Sequence, residues 1–151
     1  MLKSTDISIK SFQQLEKHEL YELLALRMEV FCVEQDCPYQ DADGMDFICQ
    51  HFSIFADNKL AAYARVIPPQ ADEKCHIGRI VVAKEMRSQK LATKLIKSCI
   101  KYCQNTYPSM TIEISAQSYL TDYYQSLGFK SMQKFYLEDD IPHEQMQILA
   151  N

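Results

Sequence analysis

The sequence predicts a single mixed α/β domain spanning residues 1–151, with helices covering a central sheet. Three observations predict it. Short strand-like runs are interrupted by stretches with helical periodicity, turn residues punctuate the boundaries, and 47% hydrophobic with 24% charged residues suits a chain that builds a core. A length of 151 residues fits one domain rather than two.

Residues 7–14 read as a first strand. Across 17–33, Leu20, Leu23, Leu24, Met28 and Phe31 fall at helical spacing. Residues 34–46, EQDCPYQDADGMD, are acidic and turn-rich and read as a loop. Residues 47–56 and 60–67 are strand-like, Asp57-Asn58-Lys59 forms a hairpin turn between them, and Pro68-Pro69 ends the second. The β-branched run HIGRIVVA, 76–83, is another strand. Residues 88–105 carry Leu91, Leu95, Cys99 and Cys103 on one helical face, widened by Ala92, Ile96 and Ile100. A strand over 110–116 and a short helix over 118–127, stopped by Gly128, follow. Strands over 129–137 and 144–149, joined by a turn around Pro142, complete the order β-α-β-β-β-α-β-α-β-β.

Sixteen Lys and Arg against 20 Asp and Glu give a net charge of −4. A nonspecific nucleic-acid binder needs a basic surface, so nucleic acid is not an expected partner. No apolar run of about 18 residues is present, and MLKSTDISIKSF lacks the apolar block of a signal peptide. The expectation is a cytoplasmic protein without a membrane partner, as monomer or homodimer. Cys32, Cys37, Cys49, Cys75, Cys99 and Cys103 contain no CxxC and no paired zinc spacing. They read as free, mostly buried thiols in a reducing compartment, and no metal is expected.

The stretch 77–93 concentrates the chemistry: a strand, then MRSQKLA, then an amphipathic helix. A loop entering a helix N-terminus offers free N–H groups and the positive end of the helix dipole, which together suit a phosphate or pyrophosphate. Arg87 and Lys90 add positive charge there, and Ser88 or Thr93 a hydroxyl. The same residues also suit a plain strand-to-helix turn with solvated cations.

Strand, R-x-x-(G)-x-(G/A), helix, here Arg87-Ser88-Gln89-Lys90-Leu91-Ala92, resembles the coenzyme A pyrophosphate loop of the GNAT acetyltransferases, with Lys90 at the usual central glycine. Tyr123-Tyr124-Gln125-Ser126-Leu127-Gly128-Phe129 resembles that family's signature of an aromatic and a tyrosine before x-x-L-G-F. LYELLALRMEVFCVEQDCPYQDADG, 20–44, with Gly128-Phe129 and Ile141-Pro142-His143, resembles the ElaA-like branch. The resemblance covers nearly the whole chain. It implies the mostly antiparallel GNAT fold and transfer of an acetyl group from acetyl-coenzyme A to a primary amine by direct attack in a ternary complex.

It also implies roles. Ile80, Val81 and Val82 meet the pantetheine and acyl carbonyl through their backbone, with Val82 N–H as oxyanion donor, while Arg87, Ser88, Gln89, Lys90, Leu91, Ala92 and Thr93 hold the cofactor. Tyr124 protonates the leaving sulfur, although Leu120, Tyr123, Tyr124 and Leu127 also form one helical stripe, as core residues do. Candidates for general base are Glu34, Asp43, His51, Glu113 and His143, or a water. On the acceptor side stand Glu34, Asp43 and His51, beside an acidic loop with Asp36, Asp41, Asp43 and Asp46. That loop either attracts a cationic amine or caps its own turns. Arg27, on the apolar side of its helix, needs a carboxylate partner, and Arg79 makes a structural ion pair or a substrate contact. Two alternatives remain: an acyl-homoserine-lactone-synthase-like enzyme, with Arg27-x-x-x-Phe31 as its parallel, and a non-catalytic acyl-coenzyme A-binding module. A thiol redox protein is a third reading, and it lacks CxxC.

Overall fold

The computed structural model describes residues 6–150. Its elements are β1 (Ile7–Ser11), α1 (Lys17–Arg27), β2 (Gln50–Ala56), β3 (Lys59–Ile67), β4 (Lys74–Val82), α2 (Leu91–Thr106), β5 (Thr111–Gln117), α3 (Thr121–Ser126), β6 (Lys130–Glu138) and β7 (Ile141–Ile148). The seven strands form one sheet in the order β1-β2-β3-β4-β5-β7-β6. Every neighbouring pair is antiparallel except β4 and β5. This is the mostly antiparallel, helix-flanked sheet that the resemblance implied.

Alternation along the strands builds two cores. One face sends Phe52, Ile54, Ala62, Ala64, Cys75 and Ile77 against the stripe Leu91, Leu95, Ile96, Cys99 and Cys103 of α2. Each fully buried Leu or Ile there contributes about 1.5–3 kcal/mol. The other face packs Tyr63, Val81 and Ala83 against Leu23, Leu26 and Val30. His51 lies on this second face, opposite Phe52, as strand alternation requires.

Several boundaries depart from the sequence reading. Residues Phe12–Gln14 form a 3-10 turn rather than strand, and Phe47 belongs to a 3-10 turn, Met45–Phe47. The first helix stays α-helical only to Arg27; Met28–Glu34 continue as a π-helix. Its wider ladder is seen where Gln35 N–H bonds Val30 O at 3.1 Å and Cys37 N–H bonds Cys32 O at 2.9 Å. The closing hairpin turns at Asp139-Asp140, not around Pro142, which lies in β7 opposite Leu137. Asp139 and Asp140 have φ of 50° and 63°, and Asp57 and Asn58 have 51° and 65°, the paired positive values that match a tight turn to strand twist. Gly128 (φ 104°) ends the segment after α3 as expected.

Two irregularities in β4 open the sheet. Strands β4 and β5 pair only at Lys74–Thr111, Cys75–Ile112 and His76–Glu113. Beyond these the two strands diverge. In the same stretch Tyr63 and Arg65, two residues apart on β3, face Val81 and Gly78, three apart on β4. The extra residue makes a bulge, with Arg79 at φ 51°.

Candidate active site

The gap between the diverging strands is a cleft of about 800 Å³. Its walls come from β4, the segment after it, the start of α2, the region of α3, the π-helix and the β6–β7 turn. Of the residues singled out from sequence, Ile80, Val81, Val82, Arg87, Ser88, Lys90, Leu91, Ala92, Thr93, Tyr124 and Glu34 all line it. Gln89 is exposed and outside the lining, and Asp43 and His51 stand apart from the cleft.

The backbone of β4 supplies the first functional group. Ala83 N–H bonds Ala61 O on β3 at 2.8 Å. Successive residues of a strand aim their N–H groups to opposite sides, so Val82 N–H points away from β3 into the gap. Among the described residues no strand pairs with that edge of β4 beyond His76, so it is open to a ligand's polar groups.

The entrance to α2 supplies the second. Ser88 and Lys90 have φ of 68° and 60°. Left-handed residues in such a loop turn successive N–H groups into a concavity that favours anions. Lys90 (ψ 28°) sits immediately before α2, whose 16 residues present their dipole there. The side chain of Arg87 reaches back across the cleft: its NH2 group lies 2.9 and 3.0 Å from the two Glu34 oxygens, and its Nε–H bonds Val82 O at 3.3 Å.

Tyr124 supplies the third. Its ring packs edge-on against Phe129 and Tyr123, at centroid separations of 6.0 and 5.3 Å. Burial pushes the phenol well above its ordinary pKa, so it holds its proton throughout the neutral range. Tyr123 packs as a structural partner, its hydroxyl 2.7 Å from Thr93 Oγ1, which ties α3 to α2.

The acidic loop has a different role from a cation funnel. Asp41 lies 2.6 Å from Arg27 Nε and 2.8 Å from Arg79 Nε. Asp43 takes Arg65 at 2.6 Å and Arg79 at 3.2 Å. Asp46 bridges Arg27 at 2.7 Å and Arg65 at 2.9 Å. Three carboxylates and three guanidiniums therefore neutralise one another, and Arg27 is wholly buried among them. Hydrogen bonds from Arg65 hold the Asp43 carboxyl far below the usual carboxylate range. Burial works against ionisation of Asp46, yet Arg27 and Arg65 hold it low as well.

His51 is part of the same structure. One ring nitrogen lies 2.6 Å from Tyr63 Oη and the other 2.9 Å from Asp46 O, both in the interior. Burial pushes its pKa down. Among the other base candidates, Glu113 accepts from Lys74, Gln145 and Gln147. All six cysteines are free; burial raises Cys99 and Cys103, and pushes Cys49 up to about 12, so these thiols stay protonated and weakly nucleophilic.

Residues that sequence reasoning did not assign also line the cleft. Tyr39 bonds Asp41 at 2.7 Å and lies under the Arg79 guanidinium, 5.7 Å from ring centroid to its carbon. Glu138 and Asp139 stand at the rim. The hairpin turn that brings these two acids there lacks the Asn-Gly signal that marks such turns in sequence.

Residues 14–150 match the profile of the Acetyltransferase (GNAT) domain. The chain is 38% identical to protein ElaA of Escherichia coli over 133 residues, 86% of this chain and 87% of that protein. A crystal structure of an acyl-CoA N-acyltransferase from Pseudomonas aeruginosa superposes with a TM-score of 0.91 at 38% identity, covering 95% of this chain and 99% of that one. The crystal structure of E. coli ElaA gives 0.87 at 35% identity, covering 94% and 98%. The fold alone is shared, at 15% and 12% identity, with an aminoglycoside 6′-N-acetyltransferase complexed with coenzyme A and with the AHL synthase LasI. The chain belongs to the GNAT acetyltransferase family and, within it, is an ElaA-like acyltransferase.

Proposed function

We propose that this protein moves an acetyl group from acetyl-coenzyme A to a primary amine by direct attack in a ternary complex. The observation that carries the reading is the splayed β4–β5 gap, where one cleft joins the left-handed loop at the N-terminus of α2, a free strand edge and a buried phenol. The donor fits these groups in order. Its pyrophosphate suits the loop from Arg87 to Lys90, where N–H groups, the α2 dipole and Lys90 lie together and Arg87 joins them once it leaves Glu34. Its pantetheine amides suit the unpaired edge of Ile80–Val82.

At the thioester, attack by the amine puts negative charge on the carbonyl oxygen. A backbone donor aimed at that point stabilises the charge without reorganising, and Val82 N–H, which faces the gap rather than β3, takes that role in this reading. As the C–S bond breaks, the sulfur needs a proton, which the Tyr124 hydroxyl gives. A phenol kept neutral by burial is ready to donate at any pH near neutrality. Arg87 must exchange Glu34 for phosphate when the donor binds. Both side chains are 39% exposed, so this contact is weak and readily exchanged.

No observation favours the homoserine-lactone-synthase-like alternative, because Arg27 is fully engaged by Asp41 and Asp46. The test is incubation of acetyl-coenzyme A with a panel of primary amines, following thiol release and acetylated product by mass spectrometry. Product formation that depends on the protein is expected. Binding of acetyl-coenzyme A with no product from any amine would favour the non-catalytic module instead.

A further inference from the structure

His143 is buried, its side chain 7% exposed, yet it lines the cleft. Its ring is fixed on three sides. One nitrogen, Nδ1, lies 2.7 Å from Ile141 O. The ring stacks on Tyr136 with centroids 6.1 Å apart and planes 16° apart, and Tyr136 in turn hydrogen-bonds Ser115 on β5. The other nitrogen, Nε2, lies 3.3 Å from a Glu138 oxygen. A carbonyl only accepts, so Nδ1 carries the proton and the neutral ring leaves its lone pair on Nε2. A lone pair beside a carboxylate makes a place for one proton, because the resulting imidazolium is compensated by the neighbouring charge.

Of the other sequence candidates, Asp43 is engaged by Arg65 and Arg79, Glu113 by Lys74 and two glutamines, and His51 by Tyr63 and Asp46 O. Glu34 is held by Arg87 until the donor binds and then adds a carboxylate to the cleft wall. Glu138 and Asp139 also differ from the loop aspartates. Among the described residues neither is paired with a lysine or arginine, and both line the cleft. A cationic acceptor therefore meets uncompensated carboxylates at this rim, whereas Asp41, Asp43 and Asp46 of the acidic loop are already paired with arginines.

We infer that His143, supported by Glu138, is the proton acceptor of the transfer, and that its acceptor substrate is a primary alkylammonium. The inference rests on the acetyltransferase reading above. The ammonium gives one proton to His143 Nε2 and becomes a neutral amine. Its nitrogen lone pair forms the N–C bond, and the C–S bond then breaks. The sulfur takes the Tyr124 proton, the second proton leaving the nitrogen restores the phenol, and His143 releases its proton to solvent. Atoms and charge balance: ammonium and thioester give amide, thiol and one proton. The titratable groups around His143 are Glu138 and Tyr136 from β6 and Asp139 from the turn; Gln117, its partner on β5, is neutral. Cys37, Glu34 and Tyr119 line the same cleft.

The test uses the full chain, acetyl-coenzyme A, and two probe nucleophiles: 1,4-diaminobutane, cationic at neutral pH, and aniline, which is neutral there. The expected result is that His143→Ala lowers kcat/KM for the diamine by about 10²–10⁴-fold and affects aniline far less. Acetyl-coenzyme A affinity, read by calorimetry, stays unchanged, which also shows that the variant folds; His143→Gln serves as a second, better-filled replacement. The wild-type rate with the diamine rises with pH through one inflection, as a reaction that needs a base does. In His143→Ala the inflection is lost, and added imidazole restores part of the rate. A variant that keeps the rate and the inflection would overturn the inference. So would a wild-type protein that binds acetyl-coenzyme A but acetylates aniline and not the diamine. Failure to bind acetyl-coenzyme A at all would instead sink the reading beneath it.

Discussion

Lys90 holds φ 60° and ψ 28° at the residue before α2, a left-handed conformation in which an L side chain crowds the following carbonyl. The position is exposed and has no side-chain cap bond, so no packing compensates the conformation. Relief of the left-handed strain is worth about 1–2 kcal/mol, and the greater freedom of glycine in the unfolded chain takes back about 0.5–1 kcal/mol. Lys90→Gly should thus stabilise the fold by about 0.5–1 kcal/mol. For a chain of this size that raises Tm by about 1–4 °C. Lys90→Ala keeps the strain and removes the same ammonium, so its Tm should stay at the wild-type value. Both lose an exposed charge near the phosphate site, which costs about two- to fivefold in coenzyme A affinity, the size of an exposed ion pair. Thermal unfolding and calorimetry on the three proteins read both quantities. A glycine variant with unchanged or lower Tm would refute the strain argument.

Other consequences follow from the same geometry. Tyr124→Phe should lower kcat by about 10²-fold or more, leaving acetyl-coenzyme A affinity within about twofold, as steady-state kinetics and calorimetry will read. Because burial raises the Tyr124 pKa, its ionisation should produce no loss of activity on the alkaline side up to the ordinary phenol range. Glu34→Gln frees Arg87 and should tighten coenzyme A binding by at most about fivefold, since the contact is half exposed. Asp46→Asn leaves two buried guanidiniums short of a charge partner and should cost about 3–5 kcal/mol, or roughly 6–20 °C in Tm. Asp43 and Asp46 are held below their unfolded pKa, so their contribution is complete above the ordinary carboxylate range and is lost as pH falls through the folded value. Acid unfolding in the double Asp43→Asn, Asp46→Asn variant should accordingly be less steep with pH.

What the sequence made legible was local and periodic. The stripe of α2, the hairpin at Asp57-Asn58 and the stop at Gly128 each rest on residues within one turn of each other. The pyrophosphate loop and the Tyr124 motif were visible as patterns of neighbours too. The rest depends on backbone states or distances that neighbours do not encode. Arg79 and Lys90 adopt positive φ without being glycine, so neither the β4 bulge nor the loop conformation carried a composition signal. The π-helix uses the same residue types as α1, and side-chain spacing alone does not distinguish its wider ladder. The arginine–aspartate network joins residues 14 to 38 positions apart, so the sequence left the acidic loop between attracting a cation and capping its own turns. Pro142 drew the turn two residues too far and hid the pairing of His143 with Glu138.

The most direct measurement is a calorimetric titration of acetyl-coenzyme A into the wild-type protein and an Arg87→Ala, Lys90→Ala double variant. Saturable binding to the wild type, weakened at least tenfold in the variant, is predicted if the loop before α2 holds the pyrophosphate. Absence of binding at millimolar donor, or equal affinity in both proteins, would contradict it.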